Sequence, residues 1–339
     1  MADFRILPGF EEAWRPPVGR RRLPEEVLSG PVSRDEIRAR LARLAAKAPE
    51  VVVKVAGRTK GAAHLQAHLN YISRRGELAL EGPDGWPIIG RAEVRELADD
   101  WSAIALADSR RRVYTPFTRS LVLSMPNGTD PFVVRDAARA FAASEFAGRF
   151  DHVFVLHTDE AHPHVHMAIR ALGYGGERLN PKHADLAAWR QLFARELRER
   201  GVEAEATPRR ARGVTRKAER GPIRRMREGA EAGRRAQSRV QRGAMQAAAQ
   251  VAFGGDAPPR PWEERLVARQ QRIRGLYLAQ ARLLQASSEA ADRELGQAVE
   301  AFVRGMPAPD TQLLALARAL REANERLAPE PGRTRDRSR

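Results

Sequence analysis

The chain has 339 residues, a formal net charge of +16, a pI near 11.1 and no cysteine. Such a positive surplus favours an acidic polymer as partner, because Lys and Arg release counterions when they neutralise phosphates, although a solvated basic surface or a ribosome-like RNA binder would carry similar charge. The lack of cysteine excludes disulfides, thiol catalysis and Cys-based zinc sites, so a metal would need His or carboxylate ligands.

The sequence also indicates where the protein works. No apolar run approaches the roughly 20 residues that span a bilayer. The segment MADFRILPGFEEAW lacks the basic-then-apolar layout of a secretory signal. We therefore expect a cytoplasmic protein with no membrane insertion.

The first quarter of the chain is predicted to contain a helix, a strand and a second helix. Residues 1–49 form a basic N-terminal extension with an arginine triplet at 20–22, and one short helix follows Ser33 as its N-cap. A strand begins at Val51. The next helix covers AAHLQAHLNYISRR, and Gly76 is expected to close it as a C′ glycine.

The middle of the chain alternates helices and strands in the same way. The predicted elements are a helix over 91–107, a strand over 120–125, a helix over 130–146, strands over 151–159 and 164–172, a helix that ends at Gly201 and a short strand over 202–207. Because only EAHP separates the strands at 151–159 and 164–172, we expect them to form an antiparallel hairpin with Pro163 in its connection.

The last third of the chain differs in composition. Between Pro208 and Met245 there are thirteen Lys and Arg against three Glu, so more than half of the surplus charge lies there. This stretch either follows a nucleic-acid backbone or is a solvated basic linker. Residues 262–328 predict two or three amphipathic helices, which either bind a partner or self-associate, and the end, PEPGRTRDRSR, is predicted to be disordered.

Histidines are concentrated in one segment, DHVFVLHTDEAHPHVH, which holds five of the eight. His164 and His166 alternate along a strand and so share a face, and His157 can converge on them from the neighbouring strand. Three neutral imidazoles make a facial site for a divalent ion such as Mn²⁺ or Zn²⁺, whose charge can polarise a phosphate oxygen. A structural zinc site completed by Asp159 or His162 remains the alternative.

Tyr71 is the candidate nucleophile. His64, His68 and Tyr71 lie at positions i, i+4 and i+7 of a predicted helix and therefore share one face, and Arg74 and Arg75 follow directly. A hydrolytic two-metal nuclease would need more carboxylates than the two beside the histidines. A tyrosine on a helix is often only a core or rim residue, but the adjacent arginines favour a functional role.

Taken in order, these motifs resemble a known family. A strand, a helix carrying YISRRG, a strand with VLSMPNGTD and the segment HTDEAHPHVH are similar to the MobP-type plasmid relaxases, and within them to the T-DNA border endonucleases. These mobilisation nucleases are HUH endonucleases, and His164-Val165-His166 is the matching HUH motif. The similarity covers about residues 51–215.

The resemblance implies an α+β fold in which a central antiparallel sheet carries helices and holds the metal site on its central strands. The predicted strands agree with that arrangement. The chain is accordingly divided into a basic extension over 1–49, a relaxase domain over 50–215, a basic linker over 216–260 and an α-helical C-terminal region with a disordered tail over 261–339.

The resemblance also implies roles for single residues. It makes Tyr71 the nucleophile, and it makes His157, His164 and His166 the ligands of a divalent metal, Mg²⁺ or Mn²⁺, with Zn²⁺ as a further candidate. Asp159 matches an acidic residue that orients a histidine or handles the tyrosine proton.

One position departs from the family pattern. Close relatives often carry an acidic residue directly before HPH, where this chain has Ala161. The proton acceptor for Tyr71 is therefore open among Asp159, His162 and water, and both residues are counted as catalytic candidates.

Six residues are the candidate DNA contacts. Ser124 matches a family serine that lies near the scissile phosphate, and positive charge from Lys60 and Arg74 is expected to favour the phenolate of Tyr71. The full set is Arg58, Lys60, Arg74, Arg75, Ser124 and Asn127.

The expected reaction is a transesterification at one DNA strand. The tyrosine oxygen attacks phosphorus, a 3′-hydroxyl leaves, and a 5′-phosphotyrosine link stores the bond energy. The expected substrate is single-stranded DNA at the origin of transfer of a plasmid or integrative element, for conjugation or mobilisation. Accessory relaxosome proteins and a coupling protein are the expected partners, with export alongside DNA through a type IV secretion system.

Two alternatives remain at the level of sequence. The first is a rolling-circle replication initiator or transposase of the same superfamily. The second is a non-enzymatic basic DNA-binding protein with a structural metal.

Overall fold

The computed structural model describes residues 4–14, 33–215, 221–233, 238–254 and 261–327. A six-stranded sheet has the order β1-β4-β6-β5-β2-β3, and every neighbouring pair is antiparallel. The strands are β1 Val52–Thr59, β2 Leu80–Glu81, β3 Pro87–Ile88, β4 Thr118–Ser124, β5 His152–His157 and β6 His164–Arg170. The predicted fold class, an antiparallel sheet with helices packed on it and a helical C-terminal region, is confirmed.

Ten α-helices and two 3₁₀ turns lie in the described residues. The helices are α1 Arg34–Ala45, α2 Ala62–Ile72, α3 Gly90–Ala107, α4 Pro131–Phe146, α5 His183–Arg198, α6 Gly221–Glu231, α7 Arg239–Phe253, α8 Pro261–Gln285, α9 Ala290–Arg304 and α10 Gln312–Leu327, and the 3₁₀ turns are Phe10–Ala13 and Arg209–Arg212. None of these helices is long and apolar enough to cross a membrane.

The two faces of the sheet carry different helix pairs. One face packs on α4 and α5 through a core that includes Phe141 and Trp189. The other packs on α2 and α3 through a core that includes Leu65 and Trp101. In β6, Val165, Met167 and Ile169 belong to the α4–α5 side, so strand alternation directs His164 and His166 to the side of α2.

A further core joins the described N-terminal residues to the C-terminal helices. Phe10 and Trp14 pack with Leu41 of α1 against α8 and α9, and Trp14 Nε1 donates a 2.7 Å hydrogen bond to the buried hydroxyl of Tyr277. The described parts of 1–49 are thus tied to the C-terminal helices, which the sequence pattern did not indicate. The arginine triplet at 20–22 lies outside the described residues.

Two other expectations concern the C-terminal half. The described parts of the predicted basic linker hold the helices α6 and α7, and α7 packs against α10. The segment 202–207 is not a strand, because only Glu205 forms a bridge, a parallel one to Glu50. Its alanines are instead buried in the core beside α5. The predicted disordered end at 329–339 lies outside the described residues.

The end of α2 also differs from the prediction. The helix stops at Ile72, and Arg74, Arg75 and Gly76 follow with φ of 52°, 60° and 87°. Gly76 is therefore not the C′ residue of α2. It is needed as glycine for another reason, since a Cβ there would lie 2.4 Å from the carbonyl carbon of Gly90.

The carboxyl of Glu50 makes stability depend on pH. Glu50 accepts a 2.9 Å hydrogen bond from the Thr207 N–H and lies 3.1 Å from the Arg212 guanidinium, yet burial outweighs both and raises its pKa from 4.5 to about 7. The folded protein thus binds this proton more tightly than the unfolded chain. The contribution of this proton to the free energy of unfolding is complete below pH 4.5 and is lost as the pH rises through about 7.

We expect Glu50→Gln to reduce this dependence. Between pH 5 and 8 the free energy of unfolding of the wild type should fall by about 2–3 kcal/mol more than that of the variant. Urea denaturation of both proteins at the two pH values measures the difference. If the free energy of unfolding changed with pH equally in the two proteins, the raised pKa of Glu50 would be contradicted.

Candidate active site

Three histidines converge at one end of the central strands. His157 of β5 lies directly opposite His164 of β6, and His166 is two residues further along the same face. The ring centroids are 4.6 Å apart for His157–His166, 5.1 Å for His164–His166 and 5.3 Å for His157–His164. One nitrogen of each ring lies within 4.8 Å of the others. The sheet register, rather than any loop, therefore builds the cluster.

Backbone carbonyls orient two of the rings. His157 Nε2 lies 2.7 Å from the carbonyl oxygen of Ile72, and His164 Nδ1 lies 3.0 Å from that of His162. Because a carbonyl oxygen can only accept, these nitrogens carry the protons. Nδ1 of His157, which lies 3.3 Å from Arg74 Nη2, and Nε2 of His164 therefore carry the lone pairs.

The cluster favours uncharged imidazoles. Burial, followed by the positive charge of the neighbouring imidazoles, lowers the pKa of His166 to about 3. Burial also lowers the pKa of His157. Neutral rings with oriented lone pairs are what a divalent ion requires, so the three residues fit a metal. The donor set is compatible with several divalent ions.

Tyr71 lies beside this cluster. Its ring meets the ring of His166 edge-on with centroids 5.8 Å apart, and 56% of its surface is exposed. The position follows from packing, because Leu65, Leu69 and Ile72 bury the apolar face of α2 and leave Tyr71 on the last turn of the helix. A phenol is thus held next to three imidazoles that come from strands some ninety residues later.

The helix face predicted to present Tyr71 with two histidines is divided in the structure. His68 is turned into the sheet, where its Nε2 lies 3.0 Å from the Ser120 hydroxyl. Burial and the nearby His64 lower the pKa of His68. His64 itself is exposed nearer the start of the helix.

Arg74 connects the tyrosine to the histidines. Its guanidinium carbon lies 5.4 Å from the Tyr71 ring centroid, and its Nη2 is 3.3 Å from Nδ1 of His157 and donates to a carboxylate oxygen of Asp159. Slight burial acts against ionisation of Asp159, but its own backbone N–H and Arg74 hold its pKa below the usual value. Asp159 is therefore a carboxylate that fixes Arg74. The left-handed backbone of Arg74, which costs about 1–2 kcal/mol, aims the side chain into the site.

Four other predicted residues lie around the cluster. Ser124 is half-buried and pairs with His164 across β4 and β6. Asn127 is exposed on the turn that follows β4. His162 is exposed in the connection between β5 and β6, and Arg75 is exposed beside Arg74.

The structure does not bring Arg58 and Lys60 to the cluster. Lys60 follows Thr59, which pairs with Thr118, and Thr118 pairs with Arg170 at the opposite end of the sheet. Six residues of β4 separate that end from Ser124, which is about 20 Å of strand. Lys60 is therefore placed away from the cluster beside which Tyr71 lies, contrary to the expectation that it promotes ionisation of Tyr71. After a bulge in β1, Arg58 pairs with Arg119 and faces the α4–α5 side, away from the histidines.

One basic residue near the site was missed. Lys54 pairs with Val122, which in turn pairs with His166, so all three side chains share the histidine face. Lys54 is exposed on the edge strand, and its neighbour on this face, Val52, has 45% of its surface exposed. The alternation in VVVKVA placed Lys54 on one face, but only the pairing of β1 with β4 could show which face that is.

Comparison with known proteins finds a family similarity in the middle of the chain. Residues 89–202 match the family model described as Relaxase: MobA/VirD2-like, nuclease domain. This segment is similar to the MobA/VirD2-like relaxase nuclease domains. The matched range of this domain holds β4, β5, β6 and all three histidines, whereas Tyr71 precedes it.

Three curated proteins are similar over a longer range, and each is called a T-DNA border endonuclease VirD2. The protein of Rhizobium radiobacter is 28% identical over 193 residues, that of Agrobacterium fabrum 26% over 194, and that of Rhizobium rhizogenes 25% over 193. Each match covers 49% of this chain and between 41% and 43% of the relative. The chain thus matches less than half the length of these relatives.

Proposed function

We propose that the relaxase domain nicks one strand of DNA by transesterification with Tyr71 as nucleophile. One observation carries the proposal: an exposed tyrosine lies edge-on to a histidine of a three-imidazole cluster that fits a metal. The relaxase nuclease match and the name of the curated relatives, border endonuclease, support the same conclusion.

The proposed reaction moves one phosphate ester from DNA to protein. The Tyr71 oxygen forms a bond to phosphorus, the bond from phosphorus to the 3′ oxygen breaks, and the 3′ oxygen leaves and takes up a proton. The phenol proton passes to Asp159, His162 or water. A divalent ion on the three histidines would supply positive charge to the non-bridging oxygens of the phosphate.

Arg74 has two functions in this scheme. Its guanidinium lies beside the Tyr71 ring and holds positive charge near the phenol whose oxygen must become anionic. Its ion pair with Asp159 keeps that charge in place. Such fixed positive charge stabilises developing phenolate and phosphorane charge without reorganisation during the reaction.

The other tyrosines favour an enzyme that uses a single tyrosine. Tyr277 is buried against Trp14, and Tyr114 and Tyr174 lie toward the other end of the sheet. An initiator of replication that needs two tyrosines in succession would require a second one beside the metal site. We therefore place the reaction in DNA transfer, at an origin of transfer on a plasmid or integrative element, with accessory proteins, a coupling protein and export through a secretion system as proposed partners.

A covalent adduct tests the proposal. The protein is incubated with Mn²⁺ and labelled single strands from inverted repeats near its gene, and products are separated in SDS. We expect a DNA–protein adduct that survives denaturation, with the 5′ phosphate mapped to the peptide that contains Tyr71. A cut strand with a free 5′ phosphate and no adduct would indicate hydrolysis and overturn the mechanism.

Lys54 is expected to contact the phosphates of the strand on the histidine face. Lys54→Ala should weaken binding of a single strand about threefold at low salt and reduce the slope of log K against log salt by about one. The control is Lys182→Ala, an exposed lysine at the start of α5 on the other face. Equal salt slopes for wild type and Lys54→Ala, measured by fluorescence anisotropy, would contradict this contact.

A further inference from the structure

Large aromatic side chains are exposed at the end of the sheet that lies opposite the histidines. Tyr114 is 75% exposed, Tyr174 58% and Trp86 75%. We infer that this region, called here the distal surface, is a second binding site for single-stranded DNA, in which bases stack on these rings. Stacking does not require cleavage, so the inference goes beyond the proposed function.

Backbone hydrogen bonds bring the distal surface together from separate segments. The Phe117 N–H donates to the Thr59 carbonyl, and the Ala171 N–H donates to the Phe117 carbonyl. The Tyr174 N–H donates to the carbonyl of Arg149. The loop before β4 and the loop after β6 therefore meet at the same edge, about 20 Å along β4 from Ser124.

Each of the two tyrosines carries a cation on its ring. Lys60 Nζ lies 5.8 Å from the ring centroid of Tyr114, and the guanidinium carbon of Arg170 lies 5.0 Å from that of Tyr174. Trp86 lies two residues after Asp84, whose charge acts on Tyr174. Rings with this much open surface and a cation alongside are the combination that binds unpaired bases next to phosphates.

The charge of the distal surface suits a polyanion. The segments 57–61, 82–86, 108–117, 149–152 and 170–178 hold eight Lys and Arg against four Asp and Glu. Lys60, Arg112 and Arg149 are exposed, and no ion pair joins them to a carboxylate among the described residues. They are free to neutralise phosphates.

Other arginines hold the loops in place. Arg178 and Arg110 both pair with Asp108, and Arg110 Nη2 donates a 2.8 Å hydrogen bond to the Gly176 carbonyl. These contacts link the loop of Tyr114 to the loop of Tyr174. The rings are therefore positioned before a ligand arrives, which lowers the entropic cost of binding.

Exposed rings select an unpaired strand over a duplex. In a duplex the base faces are stacked on each other, and a basic surface reads mainly phosphates. In a single strand the faces are open to aromatic side chains. The position, away from Tyr71 but on the same sheet, fits the strand that continues beyond the nick.

Binding measured in EDTA tests the distal surface without cleavage. The probes are a fluorescein-labelled single strand of about 20 nucleotides and the duplex of the same sequence. We expect Tyr114→Ala combined with Tyr174→Ala to weaken single-strand binding at least about tenfold, and duplex binding less than about threefold. The matched control, Tyr114→Phe with Tyr174→Phe, keeps the rings and should bind within about twofold of wild type.

The remaining outcomes would overturn the inference. Unchanged single-strand affinity in the double alanine variant would show that DNA does not bind there, and the surface would then suit a protein partner. An equal loss for single strand and duplex would indicate electrostatic binding without stacking. A loss in the phenylalanine control would assign the effect to the hydroxyls.

Trp86→Ala gives an independent measurement, with an expected loss of single-strand affinity of about fivefold.

The proposed nuclease function can fail separately. If no covalent adduct forms at Tyr71, single-strand binding by the distal surface is unaffected. If adducts form normally on a short strand but the double alanine variant binds the longer strand as wild type does, only the distal surface is refuted.

Discussion

Tyr71→Phe is expected to abolish the covalent DNA adduct, with a loss of nicking of at least about 10³-fold. The variant removes one oxygen atom, and this oxygen is the proposed nucleophile. The ring remains, so its edge contact with His166 and the Arg74 guanidinium over its face should persist. Single-strand binding should stay within about twofold of the wild type, because a phenylalanine ring can still stack.

The control for this variant is Tyr114→Phe. It makes the same chemical change at a tyrosine that is also exposed but lies at the other end of the sheet. Adduct formation on SDS gels and release of the 3′-hydroxyl strand are followed for both variants. An adduct that persists in Tyr71→Phe would require another nucleophile.

Replacing His164 and His166 together with alanine is expected to remove metal binding and, with it, metal-dependent nicking. Two of the three imidazoles are lost, and a single histidine holds a divalent ion weakly in water. Metal affinity should fall by at least about 100-fold, since even loss of a residue that supports a ligand costs 10- to 100-fold.

Thermal stability provides a readout that does not depend on activity. A ligand that binds only the folded state stabilises it by RT ln(1 + [L]/Kd), which is about 2.7 kcal/mol at 100 times Kd. The wild type should therefore unfold at higher temperature when Mn²⁺ is added, and the double variant should not. His183→Ala, an exposed histidine at the start of α5, is the control and should respond as wild type does.

An equal rise in unfolding temperature with Mn²⁺ in wild type and in the double variant would place the metal elsewhere. Nicking that still needs metal and proceeds at the wild-type rate in the double variant would remove the histidines from the reaction.

Local patterns were sufficient to predict most elements of the sheet and its helices. The alternation in HVHMAIR specifies a strand with both histidines on one face, and Ser33 specifies the start of α1, where its hydroxyl accepts the N–H of Glu36. These features depend on neighbours within a few residues, so sequence alone determines them. The order of the motifs was also enough to predict the relaxase family.

Features that depend on contacts distant in the chain were not predictable in this way. Whether Lys54 or Lys60 lies beside the histidines depends on how β1 pairs with β4, which no pattern within β1 reports. The three left-handed residues after Ile72 are stabilised by hydrogen bonds such as that from the Arg75 N–H to the Asn70 carbonyl and by the close approach of Gly90. A helix-capping rule considers only Gly76, and it therefore predicts a later end of the helix than the structure has.

The sequence by itself determined on which elements the reactive residues lie: a tyrosine followed by arginines on a helix, and three histidines on two adjacent strands. Only the tertiary structure decided that Tyr71 lies against His166, that Arg74 lies between Tyr71 and His157 and pairs with Asp159, and that residues 4–14 pack on the C-terminal helices. The reason is physical. Periodicity reports which face a side chain occupies, whereas the partner of that face is selected by packing and strand register across the whole fold.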